Sequence, residues 1–331
     1  MKKIAFFLLF VLFLVFNTIY VKAQHTFSIV AVDPATGEIG SAGATCISAE
    51  DGALAISDIV LGVGVIHTQA WWSPTNQNNA RARMEAGDTP QEIIDWLVAN
   101  DYQNNPSLRQ YGVVDLNGGN PRSAAYTGTN TDDVKLHVTG PNYAIQGNIL
   151  ISEDVIYDME TAFLNTTGTL ADKLMAALQG AKRIGADSRC EPFGISSASA
   201  FLRVADPSDT DSSYGNLSLD LNVWIEPGSP IFEPIDALQD AYNATLSNNG
   251  NDQVEVSIFP NPTHKTLYIN TGRSMIKKYE VLSITGQLLH ESSLPILSNR
   301  FFIDVNQPIG IYFIRFIDEK ENTYTKKVII E

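Results

Sequence analysis

Two cysteines and three histidines are the first candidates for chemistry in the central part of this chain. Cys46 and Cys190 are the only cysteines among 331 residues. In an oxidising compartment an even count favours a disulfide. Closing so long a loop restricts the unfolded chain by roughly 4–5 kcal/mol in the entropy model. The competing reading makes Cys46 a nucleophile, although no histidine is its near neighbour in sequence and a lone exported thiol is open to oxidation. Spacing alone leaves both readings open. His25, His67 and His137 are scattered, and His67, inside an apolar run, reads as a hydrogen-bonded core residue. Asp206, Asp209 and Asp211 supply hard oxygen ligands of the kind Ca²⁺ takes, but their spacing is not that of an EF-hand, so a solvated loop is the favoured reading. No metal site and no cofactor is expected. His-Glu-x-x-His, Gly-x-Ser-x-Gly, P-loop and Cys-x-x-Cys motifs are all absent.

The elements that must position these groups follow from periodicity. Thr26–Val32 and Glu38–Thr45 alternate around Asp33-Pro34-Ala35-Thr36-Gly37, which predicts a β-hairpin. Ile59–Gln69 reads as one buried strand in which Gly62 and Gly64 admit another backbone or a ligand. Thr89-Pro90-Gln91-Glu92 is a capping box ahead of a helix with Ile93, Ile94, Leu97 and Val98 on one face. Gln110–Leu116 and Arg122–Gly128 form a second hairpin, and Tyr143–Leu150 a further strand. Ser152 and Thr169 are expected to cap two helices, one burying Val155, Met159 and Phe163, the other Leu170, Leu174 and Leu178. Ser196–Val204 and Leu217–Ile225 are strands, and a helix spans about 233–243. Hairpins join the strands, so the sheets should be antiparallel with helices layered outside, an α+β fold. From Val254 onward only short strands are expected, as in a small β-sandwich.

Both ends read as address labels. Lys2 and Lys3 precede an apolar run from Ile4 to Phe16, and Val21-Lys22-Ala23 supplies small residues at a cleavage site. Residues 1–23 are therefore expected to be a signal peptide, 24–245 a main domain, 246–253 a linker, and 254–331 a terminal domain. The formal net charge is −15. The signal contributes +3 and the stretch from Gln253 onward +1, which leaves about −19 on residues 25–252. Such a surface makes nucleic acid a poor partner, and the short apolar run argues against a stable membrane span.

The stretch from Phe259-Pro260-Asn261-Pro262 through Gly310-Ile311-Tyr312-Phe313-Ile314 to Lys326-Lys327-Val328-Ile329-Ile330-Glu331 closely resembles the C-terminal sorting domain of Bacteroidetes type IX secretion substrates. That resemblance implies export through the periplasm, a secreted or cell-surface location, and the type IX machinery as a partner. A carbohydrate-binding sandwich is the competing reading, with Tyr268, Tyr279, Tyr312 and Tyr324 available as a platform but equally placed to be core.

Thr26-Phe27-Ser28-Ile29-Val30-Ala31-Val32-Asp33-Pro34-Ala35-Thr36-Gly37-Glu38-Ile39-Gly40 resembles the opening of the domain of unknown function 1028 family. Gly112-Val113-Val114-Asp115, Tyr143-Ala144-Ile145-Gln146-Gly147-Asn148, Gly185-Ala186-Asp187-Ser188-Arg189 and Leu219-Asp220-Leu221-Asn222-Val223 extend the match over roughly 26–244. That family looks like a branch of the Ntn hydrolases, whose fold is an αββα four-layer sandwich. The resemblance implies that Thr26 is both nucleophile and, through its own α-amine, base. It makes Asn148 an oxyanion or substrate donor and puts Thr68, Gln69, Asp187 and Arg189 around a small-molecule or peptide substrate. One departure is plain. A cut after Ala23 leaves Gln24 and His25 ahead of Thr26, and an acylated nitrogen cannot act as the base. The expected function is an exported amide hydrolase without cofactor, or else a non-catalytic binding or structural module on the same fold.

Overall fold

The computed structural model describes residues 23–247, 256–272, 274–319 and 323–331. The signal peptide expected over residues 1–23 lies, but for Ala23, outside the described residues, as does most of the expected linker.

The main unit is built on two antiparallel sheets. In chain order its strands are β1 (Ala23–Gln24), β2 (Phe27–Val32), β3 (Ile39–Thr45), β4 (Ser57–Val60), β5 (Gly64–Trp71), β6 (Arg109–Asp115), β7 (Arg122–Thr127), β8 (Leu136–Gly140), β9 (Tyr143–Gly147), β10 (Ser199–Ala205) and β11 (Leu219–Trp224). Its helices are α1 (Pro74–Glu85), α2 (Pro90–Ala99), α3 (Asp154–Asn165), α4 (Leu170–Ala181) and α5 (Pro234–Ser247). One sheet runs β1-β5-β6-β7, with β4 also on β5; the other runs β11-β10-β3-β2-β9-β8. Helices α1 and α2 cover the first sheet, and α3, α4 and α5 cover the second.

Strand alternation assigns every buried side chain to a layer. On β2, Phe27, Ile29 and Ala31 join Leu174, Leu178 and Leu238 beneath the helices, while Val30 and Val32 meet Val65 and Val114 between the sheets. On β5, Ile66 packs with Ile93, Leu97 and Tyr111 under α1 and α2. The chemistry between the sheets is therefore supplied by the residues that alternate with these.

Several sequence expectations are adjusted. Ile59–Gln69 is two strands, because Gly62 takes a left-handed φ of 70° and turns the chain. At Gly64 a Cβ would lie 2.3 Å from the Val114 carbonyl oxygen, so here it is a neighbouring backbone that comes close. Helix α1 has no apolar stripe in Pro-Thr-Asn-Gln-Asn-Asn-Ala-Arg-Ala-Arg-Met-Glu to announce it; it is started by Ser73, whose side chain accepts from the Asn76 amide, with Pro74 at the first position. Thr89 and Thr169 form complete capping boxes. Ser152 does not cap α3; it bonds the Asp154 carboxylate instead. Helix α5 runs to Ser247, into the start of the expected linker.

The C-terminal unit adds β12 (Ser257–Phe259), β13 (Thr266–Asn270), β14 (Ile276–Leu282), β15 (Leu288–Ser298), β16 (Arg300–Asp304), β17 (Gly310–Asp318) and β18 (Thr323–Ile330). They form a three-stranded sheet, β12-β13-β16, and a four-stranded sheet, β15-β14-β17-β18, closed over Leu267, Ile269, Val281, Ile314, Phe316 and Val328. Tyr268, Tyr279 and Tyr324 are buried, so they offer no aromatic platform. The two units touch through Phe259, whose ring centroid is 5.3 Å from that of Phe232. Arg300 stacks 5.1 Å over Trp224 and pairs with Glu50 at 2.7 Å.

Cys46 and Cys190 form a disulfide with a Cα–Cα distance of 5.6 Å. It ties the end of β3 to the six-residue 3₁₀ segment Ser188–Phe193. Changing both cysteines to serine should lower the unfolding free energy by about 2–5 kcal/mol. Urea denaturation of the exported protein under non-reducing conditions measures it, and an unchanged midpoint would contradict the assignment.

Candidate functional site

Where β2 begins, the chain crosses from one sheet to the other. Ala23 and Gln24 pair with Trp71 and Ala70 of β5, and Phe27 pairs with Ala44 and Gly147 in the second sheet. His25 and Thr26 bridge that step. Thr26 is fully buried and His25 is 7% exposed. The alternation of β2 puts Thr26 on the same side as Ser28, facing the opposite sheet.

The carbonyl oxygen of His25, the one joined to the Thr26 nitrogen, is held by two donors. Arg189 Nη2 donates to it at 2.9 Å, and the Thr45 hydroxyl donates to it as well. Arg189 is in turn fixed by Asp187, whose carboxylate accepts from Nε at 2.9 Å and from Nη2 at 2.6 Å. Asp187 also accepts from the Cys46 amide at 2.8 Å. The disulfide therefore lies beside the residues that hold Arg189 in place.

Gln110 organises the other side. Its Nε2 donates to the carbonyls of Gly147 at 2.9 Å and Leu136 at 3.1 Å and to the Thr127 hydroxyl at 2.9 Å. Carbonyls only accept, so the amide has a single satisfactory orientation. Its Oε1 then faces Gln69 Nε2 and Asn148 Nδ2, each at 2.8 Å. Gln69 Nε2 also donates to the Thr26 carbonyl at 2.9 Å. Asn148, with its nitrogen engaged, turns Oδ1 to within 2.6 Å of His25 Nδ1. The group Asn148 turns toward His25 at the start of β2 is an acceptor.

Behind Gln69 the layer continues. Ser28 donates to Gln69 Oε1 at 2.6 Å and, with its proton so used, faces His67 Nδ1 at 2.9 Å and Gln146 Nε2 at 2.7 Å as an acceptor. His67 Nε2 lies 2.6 Å from the Ser41 hydroxyl. Burial, with Arg203 nearby, pushes the His67 pKa down to about 3. His67 is thus a neutral, hydrogen-bonded core residue. Gly112 makes room for Gln146: a Cβ there would fall 2.0 Å from Gln146 Oε1.

Gln69, Asn148, Asp187 and Arg189 thus converge on the His25–Thr26 link. Thr68 does not. It pairs with Tyr111 on the helix-covered face of β5, and its hydroxyl has no partner among the described residues. The one local signal for Thr45, Gln110, Ser28 and Gln146 is the spacing of polar residues two apart in buried strands, as in His67/Gln69 and Gln146/Asn148. Ala70 and Ile149, each following a site residue, take left-handed φ of 67° and 54°, a conformation that costs non-glycine residues about 1–3 kcal/mol and clusters at functional sites. The three loop aspartates are used locally: Asp206 accepts from Ser208, Asp209 from Ser218 and Asp211 from Ser213.

Replacing Gln110 by leucine strands two amides and two carbonyls, and should cost about 2–4 kcal/mol in urea denaturation; a loss below about 1 kcal/mol would mean that the layer is not cooperative. His67 gives a pH signature. The unfolded chain takes up its proton near 6.5 and the folded chain only near 3, so the unfolded state binds more protons between those values. Stability should fall as pH drops from about 6.5 towards 3, and His67→Asn should flatten that part of the slope.

Comparison with known proteins gives two family matches. Residues 26–226 match the family of unknown function DUF1028, and residues 257–331 match the secretion system C-terminal sorting domain. A crystal structure of a DUF1028 protein from Silicibacter pomeroyi is similar, with a TM-score of 0.54 and 27% identity over 68% of this chain and 91% of that one. No curated protein matches. The sorting domain marks an exported protein, secreted or held at the cell surface by type IX secretion, and no helix among the described residues is long and apolar enough to cross a membrane. Through residues 26–226 the chain belongs to the DUF1028 family, and it carries that domain ahead of a secretion sorting tail.

Proposed function

We propose that the main unit is an exported amide hydrolase of the Ntn type, with Thr26 as nucleophile and, once freed, its α-amine as base. The observation that carries this reading is the pair of donors on the His25 carbonyl. The carbonyl next to the Thr26 nitrogen is gripped by Arg189 and by the Thr45 hydroxyl. Donors so placed polarise a carbonyl and stabilise the oxyanion that forms when it is attacked. The two sheets with helices outside them support the four-layer αββα arrangement of that superfamily, and the division into a main domain of 24–245 and a tail domain of 254–331 goes with it.

The same pair of donors supports self-cleavage as the way Thr26 is freed of Gln24 and His25. Attack by the Thr26 hydroxyl on the His25 carbonyl forms an ester and breaks the His25–Thr26 C–N bond, the nitrogen leaving protonated. Water then hydrolyses the ester. Thr26 is left with an unblocked amine, whose ordinary pKa near 8 suits a base at neutral pH. Asn148 Oδ1, released from His25, is an acceptor for that amine. Thereafter Arg189 and Thr45 hold the acyl oxygen of a substrate as they hold that of His25. The non-catalytic alternative is favoured by one observation, the pairing of Gln24 with Ala70, which keeps the upstream residues in the sheet.

Protein recovered from culture medium should hydrolyse peptide anilides, and Thr26→Ala should abolish this. Arg189→Ala should lower kcat about 10²–10³-fold, the usual effect of losing one oxyanion donor. Equal activity in wild type and Thr26→Ala would end the proposal.

A further inference from the structure

We infer that the space occupied by the His25 side chain is the acyl-side subsite of the mature site, and that it selects extended peptides with a basic residue at the acyl position. This rests on the reading of Thr26 as nucleophile. In self-cleavage His25 is the acyl residue. Any later substrate attacked by the same hydroxyl, with its acyl oxygen on Arg189 and Thr45, must set its own side chain where the imidazole stands.

The polar atoms facing that space are acceptors, set against burial and the nearby Arg189 guanidinium, which together hold the His25 pKa below its ordinary value. Asn148 Oδ1 lies 2.6 Å from Nδ1, and the Asp132 carboxylate lies 3.4 Å from Nε2. Both are acceptors. The Asn148 amide cannot turn to offer a donor, because Gln110 holds its nitrogen and is itself fixed by two backbone carbonyls. A neutral imidazole donates to one of the two groups; an imidazolium or a guanidinium donates to both. An alanyl residue leaves both unanswered, and an aspartyl residue opposes carboxylate to carboxylate. Asp132 is 55% exposed in its side chain, so the far end of the space opens on water and admits a longer basic side chain.

The backbone upstream specifies a peptide rather than a free amino-acid amide. Gln24 and Ala23 lie antiparallel on β5 opposite Ala70 and Trp71. When the leader departs, that stretch of β5 is an edge to which an extended segment can add as a strand. The surface charge, about −19 over residues 25–252, draws basic peptides toward the site.

The test uses the exported full chain, its amino terminus read by intact mass, on acetyl-Ala-X p-nitroanilides with X as His, Arg, Ala or Asp. The expected kcat/KM for His and Arg exceeds that for Ala at least tenfold, with Asp lowest. Asp132→Asn should lower the Arg-to-Ala ratio more than the His-to-Ala ratio, since Asn148 Oδ1 remains as an acceptor. A protein that begins at Thr26 and cleaves all four at similar rates, or prefers Asp, overturns the subsite while leaving the nucleophile in place. A protein that retains His25 and cleaves none removes the nucleophile, and the subsite with it.

Discussion

The arrangement between the two sheets depends on the orientation of one side-chain amide. Gln110 is fully buried and its nitrogen is surrounded by acceptors. Reversing it would set its oxygen against two carbonyls and leave them unsatisfied, at a cost of about 1–3 kcal/mol for each buried group. From that single constraint follow the directions of Gln69 and Asn148, and through Gln69 the proton on Ser28 and the hydrogen that His67 Nδ1 turns toward it. A polar layer inside a sandwich is tolerable only when its members are satisfied together. Gln146 Oε1 is one atom beside this layer that has no partner among the described residues.

The second anchor of the site is covalent. The disulfide fixes the turn that carries Asp187 and Arg189 against the end of β3, where Thr45 sits. In an exported protein such a bond persists, so the 3₁₀ segment that carries Arg189 stays tied to the end of a strand. Export and site geometry are in this way linked. The sorting tail takes the chain to the compartment in which the bond that steadies Arg189 is stable, and it packs on the main unit through Phe259 and Arg300 rather than at the site.

Much of the fold was legible in the sequence because it is written in local signals. Alternation located β2, β3, β6, β7 and β10, and the capping boxes at Thr89 and Thr169 located α2 and α4. Helix α1 was not legible, since its residues show no apolar stripe and its start depends on Ser73 and Pro74. The loop-like stretch after Thr127 hid β8, whose alternation is weak. Within the site, residues carried by the family resemblance, Thr26, Gln69, Asn148, Asp187 and Arg189, come together. Thr68 is turned away by the period of two along β5. Gln110 and Thr45 were invisible as site residues because their role is set by partners 37 and 20 positions distant, and no local pattern encodes such a meeting. The same holds for Asn148, whose residue type was legible but whose acceptor role is decided by Gln110.

The proposed chemistry requires that the link between His25 and Thr26 be a bond the protein breaks. Amino-terminal sequencing of the protein isolated from the medium tests this most directly. Thr26 should be the first residue in the wild type, and Thr26→Ala protein should still carry His25. Wild-type protein beginning at Gln24, with His25 in place, would contradict it.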